Sequence, residues 1–417
     1  MTLKVGIIGA GIGGLSAAFA LRRTGAEVEI FERSNFQNEI GAAITITPNG
    51  MRVLQNLNFD VKKARGVYSK QMRMVDPHSL EPQIVEDFSG VENDYGAPFM
   101  FFHRVDLHSA LKGMAIGNEG EGPAVKIRNG VKVKSVDCGA GRIEIESGEV
   151  FEKDLVVIAD GVHTQLINEI APHAAPLEDT LSSFYRCLIP MSSIAQNSTL
   201  AAIFNQPPGF WVPFDLSCGT FVVTYPCRDG TMLNVALRHP TKPENEGAHE
   251  WNNDTDVEDI AVMVGRYHPA LGEMFRLAES VSVHKVFRRD PLATYARGRG
   301  VIIGDAAHPI QPTHAQGAVL AIEEAAALGV LFTNIDNPED VTDRLQLYDK
   351  ILKRRIHATQ LLSDAQPGLA SILRQRAEDI YGDGIFSASA MNFTKPVRDF
   401  FYGWDVIEEA EKVISSS

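Results

Sequence analysis

Cysteine is scarce, basic charge is outnumbered and long apolar runs are missing, and each shortage excludes something. Four cysteines in 417 residues, Cys138, Cys187, Cys218 and Cys227, form no CxxC pair and no metal-ligand spacing with histidine. That argues against a disulfide scaffold and against a metal site. The four read as reduced cytoplasmic thiols, or simply as small buried apolar residues. Lys and Arg total 39 against 53 Asp and Glu, a formal net charge of −14, with no Lys/Arg run. A polyphosphate backbone is repelled by such a field, so no nucleic-acid partner is expected. No stretch reaches the roughly 18 consecutive apolar residues of a membrane span. Segment 5–21 is apolar and follows a lysine, but Gly6, Gly9, Gly11, Gly13 and Gly14 interrupt it. It reads as a tight turn within a fold, not as a signal peptide.

What remains is ordinary globular material, 44% hydrophobic and 22% charged. The length suggests about two to three domain-sized units. Segments 3–8 and 27–31 read as buried strands flanking a helix over 15–23, a βαβ unit and hence the start of a parallel sheet. Strands are expected at 131–136 and 142–146. Segment 154–159 is apolar and ends in Asp160-Gly161, as a buried parallel strand ending in a turn would. Between 180 and 285, runs at 184–190, 221–226 and 232–238 suggest an antiparallel sheet with its own core. A short strand at 300–303, a long apolar helix at 315–331 and helical periodicity over 341–373 complete the pattern. No internal repeat is present.

Gly9-Ala10-Gly11-Ile12-Gly13-Gly14 follows the first strand and opens the first helix. Gly9 permits the turn, Gly11 lets backbone approach a pyrophosphate, and Gly14 lets the helix pack closely. Glu32 ends the second strand, where an acid accepts hydrogen bonds from a ribose hydroxyl and disfavours a 2′-phosphate. Far downstream, Gly304-Asp305-Ala306-Ala307-His308-Pro309 and Gln316-Gly317-Ala318 form a second strand–turn–helix element. A two-part cofactor needs that second element and a single-domain NAD site does not. This points to FAD.

With the Asp160-Gly161 turn, these motifs make the chain similar to the single-component flavoprotein monooxygenases, the para-hydroxybenzoate and salicylate hydroxylase family. The likeness extends to Gly41-Ala42-Ala43-Ile44, Pro48-Asn49-Gly50, 103–108 and Phe401-Tyr402-Gly403-Trp404-Asp405. Within the family it looks most like salicylate hydroxylases and the phenol hydroxylases of fungal polyketide pathways. The resemblance implies an α/β fold: a Rossmann-like FAD-binding domain with a parallel sheet, a substrate domain with a mixed or antiparallel sheet, and C-terminal helices. The expected division is 1–75, 100–178 and 286–340 for FAD, 76–99 and 179–285 for substrate, and 341–417 as a helical segment. Glu32 and Arg33 would serve the adenosine ribose, Ala43 and Arg104 the flavin and its linker, and Asp305 the pyrophosphate–ribitol region. Gly317 and Ala318 would present backbone to the isoalloxazine, and Asp160 would sit in a turn shared by FAD and the nicotinamide cofactor. Taken singly, Arg104 also reads as a surface ion-pair partner and Ala43 as a small core residue.

Two positions depart from the family pattern. Ile167 stands where an arginine is usual, which leaves NADH and NADPH both open, and Ala315 stands where glycine is common. A small residue is kept there, so the backbone path is expected to survive. With one dinucleotide turn only, NADH or NADPH is expected to visit, reduce the flavin and leave. Segment 41–50 holds no His or Cys, so FAD is expected to be non-covalent. The family chemistry would pass from reduced flavin and O2 through a C4a-hydroperoxyflavin to an electron-rich phenolic ring. Arg186, in the strand that resembles the one crossing the flavin face, would pair with a carboxylate or phenolate and lower the phenol pKa. Tyr225 would hydrogen-bond the same oxygen, and His314 would handle protons or a carboxylate. The plainer reading makes Arg186 a strand-edge salt bridge and Tyr225 a core aromatic. His308 reads as structural. The expectation is a cytoplasmic enzyme, monomer or homodimer, acting on a small aromatic substrate. A flavin oxidoreductase without oxygen insertion and a non-catalytic FAD-fold protein remain the alternatives.

Overall fold

A computed structural model of the chain describes residues 2–36, 42–118, 120–215, 217, 220–241, 253–335, 337–364, 375 and 393–416. Gly41, Cys218 and 365–373, on which sequence expectations fall, lie outside the described residues.

The chain builds a six-stranded sheet in the order Ala296–Arg297, Gly300–Ile302, Leu155–Ile158, Lys4–Ile8, Glu27–Glu32, Lys126–Asn129. All neighbours are parallel except the Ala296–Arg297/Gly300–Ile302 hairpin. Parallel strands buried on both faces are expected to be continuously apolar, and Leu155–Ile158 is buried at every position. Helices Ile12–Arg22 and Gly317–Leu331 pack against each other beside this sheet. The meander Val133–Asp137, Arg142–Ile145, Val150–Glu152 covers the other face, with Ile143 lying over Gly6.

The second sheet has eight strands in the order Asn253–Thr255, Val281–Arg288, Glu178–Pro190, Met232–Pro240, Thr220–Cys227, Gly209–Asp215, Gln71–Val75, Pro82–Asp87. It is antiparallel except where Gly209–Asp215 runs parallel to Gln71–Val75. Strand Gln71–Val75 was expected in the cofactor unit but is hydrogen-bonded into this sheet on both sides. Its short, weakly patterned sequence carries no mark of which sheet it joins. One face of the sheet, with Tyr185, Cys187, Ile189, Trp211, Leu233, Val235 and Leu237, is the core beneath the helices between 191 and 276. Because successive strand residues point to opposite faces, Phe184, Arg186 and Leu188 are on the other face, where Leu188 packs against the cluster of Ala43, Phe101 and Tyr225.

A small antiparallel sheet, Ala43–Ile46, Met100–His103 and Val67–Tyr68, lies between the two units. Helix Val341–Ser363 packs on Gly317–Leu331, and Lys395–Tyr402 and Val406–Ser415 close that side. Arg52 donates to the carbonyls of Tyr95, Tyr402 and Trp404 and pairs with Asp405 at 2.7 Å. Arg355 donates to the carbonyls of Phe400 and Phe401 while holding Glu323. The C-terminal aromatic segment is thus fastened through its backbone. Among the described residues, no helix is long and apolar enough to cross a membrane.

Candidate active site

The glycine turn is as tight as its sequence demands. Gly9 takes φ +96°, and a Cβ there would lie 2.4 Å from the Ala159 carbonyl oxygen. A Cβ on Gly14 would lie 2.1 Å from the Gly9 oxygen, so neither position accepts a side chain. A Cβ on Gly11 would meet nothing within 4 Å, which leaves the turn open on the side where a pyrophosphate would approach. Glu32 does more than expected. One carboxylate oxygen accepts from the Ala10 amide at 2.7 Å and the other from Ser34 at 2.6 Å. An ionised carboxylate has about four acceptor positions, so Glu32 ties down the turn and keeps capacity for a ribose. Arg33 beside it is exposed.

Asp160 follows strand Leu155–Ile158, and its Oδ1 is buried without a hydrogen-bond partner. Burial pushes its carboxyl up to about 6, with Thr164 and Arg33 pulling the other way. The ionised form is therefore penalised. Any stability from this group is present below the ordinary Asp range and is lost as pH rises through about 6. In the FAD-free protein, Asp160→Asn should raise the melting temperature at pH 7–8, by a free energy on the order of 2 kcal/mol. Near pH 4 the two proteins should melt together. Equal differences at pH 4 and pH 8 would assign the effect to another group.

The other end of the cleft is built by Gly300–Ile302 and the turn after it. Asp305 is exposed on one side but crowded by protein elsewhere, and this burial raises its carboxyl while the nearby His308 and then Arg104 lower it. A Cβ on Gly317 would sit 4.0 Å from Asp305 Oδ1, so the acid lies at the start of helix Gly317–Leu331. His308 is fully buried, 2.9 Å from Glu324, which also accepts from the Gly304 amide and the Tyr348 hydroxyl. It staples the turn, as its sequence position suggests. Arg104 opens helix Arg104–Ile116 and is exposed, with no side-chain hydrogen bond or ion pair among the described residues.

The backbone at Ala315 adopts φ +55° on a non-glycine residue. That costs roughly 1–2 kcal/mol for an L-residue. Ala315→Gly should be neutral or stabilising by about 1 kcal/mol, since glycine entropy offsets part of the relief, and Ala315→Val should melt clearly lower. A valine variant as stable as wild type would show that the turn does not need this conformation. Beside it, Gln316 donates to Thr47 Oγ1 at 3.0 Å, and Asn49 donates to Gln316 at 3.1 Å and Glu323 at 2.8 Å. Sequence reasoning quoted Asn49 and Gln316 without seeing that they meet, because 267 residues separate them.

On the eight-stranded sheet, Arg186 stands opposite Ala236 and Ser282. Its Nε is buried without a hydrogen-bond partner, and it makes no ion pair among the described residues. Burial lowers its pKa, Tyr225 raises it and Arg104 lowers it further. A guanidinium stays charged under such pressure, so it is a cation short of a partner. The Tyr225 hydroxyl donates to the Ala43 carbonyl at 3.1 Å, and burial pushes its pKa to about 12. Its ring stacks on Phe101 at 4.7 Å, within an aromatic wall that includes Phe99, Phe210 and Phe393. His314 is buried, 3.0 Å from Thr313 Oγ1 and packed on Phe401. Burial holds it near 4, so it is neutral at pH 7 and brings no charge to a carboxylate. His284, opposite Phe184 in the sheet, was missed by sequence reasoning. It lies 2.9 Å from Ser282 Oγ and is pushed down to about 3 by burial, then by Arg186 and Arg104.

The open turn at Gly11, the unpartnered Asp160 oxygen, the exposed Arg104 and Asp305 at a helix start suit a long dinucleotide with two anchored ends. The comparisons agree. The chain is 32% identical over 368 residues to the FAD-dependent monooxygenase cfoG of Aspergillus candidus, covering 87% of this chain and 85% of that protein. It is 27% identical over 425 residues to hispidin-3-hydroxylase of Neonothopanus nambi, covering 100% and 97%. Among solved structures, CtdE in complex with FAD and a substrate superposes with a TM-score of 0.81 at 21% identity, covering 100% of this chain and 98% of that one. A salicylate hydroxylase substrate complex gives 0.76 at 20%, covering 99% and 98%. Residues 2–365 match the family model described as FAD binding domain, so the chain belongs to that family and is an FAD-dependent monooxygenase.

Proposed function

We propose that the protein hydroxylates a phenolic aromatic ring, salicylate-like or polyketide-derived, in the cytoplasm. One oxygen atom of O2 enters the ring, the other leaves as water, and NADH or NADPH supplies the two electrons. The observation that carries this reading is the buried, unpaired Nε of Arg186 on the sheet face where Leu188 packs against the cluster of Ala43, Phe101 and Tyr225. A cation held in a dry site favours the anionic form of what binds beside it, so Arg186 would hold a ring oxygen as phenolate or anchor a ring carboxylate. Glu32, Arg33 and Asp160 would hold FAD at the glycine turn, with Arg104, Asp305, Gly317 and Ala318 at the other end. Bound there, FAD supplies electron transfer and oxygen activation. The aromatic wall from Phe99 to Phe393 keeps water from the ring. Names among the relatives, hispidin-3-hydroxylase and 3-amino-4-hydroxybenzoate 2-monooxygenase, support a hydroxylated aromatic substrate.

The test is a panel of salicylates, acylphenols and resorcinols, each scored for stimulated NADH and NADPH oxidation and for hydroxylated product. Stimulation with product from at least one ring compound is expected. Oxidation of NAD(P)H that yields only hydrogen peroxide with every compound would overturn the reading. Ile167, buried at the start of helix Ile167–Ile170, gives no charge for a 2′-phosphate, so NADH is expected to serve at least as well as NADPH.

A further inference from the structure

Ala43 is held from the eight-stranded sheet by both of its backbone groups. Its N–H donates to Asn234 Oδ1 at 3.1 Å, and its carbonyl accepts from Tyr225 at 3.1 Å. Tyr225 and Asn234 are directly opposite each other on strands Thr220–Cys227 and Met232–Pro240. All three residues are buried, so these bonds face no competition from water. Ala43 begins strand Ala43–Ile46, which leads to Thr47 and Asn49 and through them to Gln316, the residue before Gly317. On the other side, Leu188 lies opposite Asn234 in register, two residues along the strand from Arg186. One continuous set of bonded elements therefore joins the sheet that carries Arg186 to both segments assigned to the flavin.

We propose that Tyr225 and Asn234 are positioning residues, which fix the Ala43 peptide from the eight-stranded sheet and so set the distance between the ring held by Arg186 and the cofactor. This rests on the aromatic-hydroxylase reading for its catalytic consequence, but not for the contact itself. It also removes Tyr225 from the substrate ligands: its proton is committed to Ala43, and it gains its effect by holding backbone. Two bonds on the backbone of one residue, one on each flanking peptide unit, act as a pair, so their loss should be non-additive.

Tyr225→Phe, Asn234→Ala and the double variant test it. In all three, FAD content and substrate KM should stay within about threefold of wild type. The share of NAD(P)H electrons ending in hydroxylated product should fall about 3- to 10-fold, with hydrogen peroxide rising to match. The double variant should fall little further than the worse single one. Independently of turnover, amide exchange in the peptide containing Ala43 should accelerate in Asn234→Ala, and the visible circular dichroism of the bound flavin should change in all three. Unchanged exchange and unchanged flavin signal would overturn the clamp even in a protein whose substrate is unknown. Altered signals with an unchanged product share would leave the clamp as scaffold only and overturn its positioning role. A KM raised more than tenfold in Tyr225→Phe, with product share intact at saturation, would return Tyr225 to the substrate. If no panel compound is hydroxylated by wild type, the functional reading fails while exchange and flavin signal still decide the clamp.

Discussion

Replacing Arg186 with alanine should lower hydroxylated product by about 10- to 100-fold and leave FAD bound. The size follows from the environment: a charge-assisted contact is worth roughly 1.5–3 kcal/mol, and about 1.4 kcal/mol is a factor of ten in rate. The selectivity follows from placement. Arg186 lies in the middle of Glu178–Pro190 in the eight-stranded sheet, not in the glycine turn or at the Asp305 end. Unstimulated NAD(P)H oxidation should therefore persist, with electrons diverted to hydrogen peroxide. Folding should not suffer, because a buried guanidinium whose Nε lacks a partner costs stability. The variant should melt at or above the wild-type temperature in the absence of substrate. Loss of flavin, or a sharp drop in melting temperature, would make Arg186 a scaffold residue and sink the proposal.

Arg355→Met should do the reverse, costing the fold about 3–5 kcal/mol by leaving Glu323 buried and unpaired. The pair is nearly inaccessible, with Arg355 Nη2 at 3.0 Å and Nε at 3.2 Å from the two carboxylate oxygens. Burial already pushes the Glu323 carboxyl up, and Arg355 is the chief influence holding it down. Without Arg355 the folded-state pKa rises further above its unfolded value. Stability should then be best preserved at low pH and fall as pH climbs through that raised value. Melting curves at pH 5.5 and 8 read this directly. Adding Glu323→Gln to Arg355→Met should recover part of the loss and abolish the pH slope, because no charge is then left buried. A single variant melting within a degree or two of wild type at pH 8 would refute the argument.

The cofactor end was legible because glycine patterns are local. Gly9, Gly11, Gly14 and Glu32 fall within one βαβ unit, and each has the local geometry its residue type suggests. Arg186 was legible for another reason: charge inside an apolar strand demands an explanation. Tyr225 was read as a hydrogen-bond partner for the substrate oxygen; the structure shows its hydroxyl on the Ala43 carbonyl. A sequence shows that a tyrosine is near a site, not which carbonyl its hydroxyl finds, and Ala43 is 182 residues away. His314 was read as a candidate for proton traffic or carboxylate contact, and the sequence does not show the burial that holds it near 4; His284 carried no motif at all. The clamp on Ala43 and the Asn49–Gln316 link depend on register between distant strands and on loop docking, which local pattern does not encode.

The strand order of the cofactor sheet also dictates when it can form during synthesis. Lys4–Ile8 needs Leu155–Ile158 as its neighbour, and that strand needs Gly300–Ile302, with six of the eight strands of the second sheet encoded between them. At ribosomal speeds of about 5–20 residues per second, the chain from Ile158 to Gly300 takes on the order of ten seconds to appear. Through that interval the edge of Leu155–Ile158 away from Lys4–Ile8 has no partner, while the eight-stranded sheet has all eight strands as soon as Arg288 emerges. The eight-stranded sheet can thus be complete while the six-stranded sheet still has one open strand edge, which closes only when Gly300–Ile302 is made.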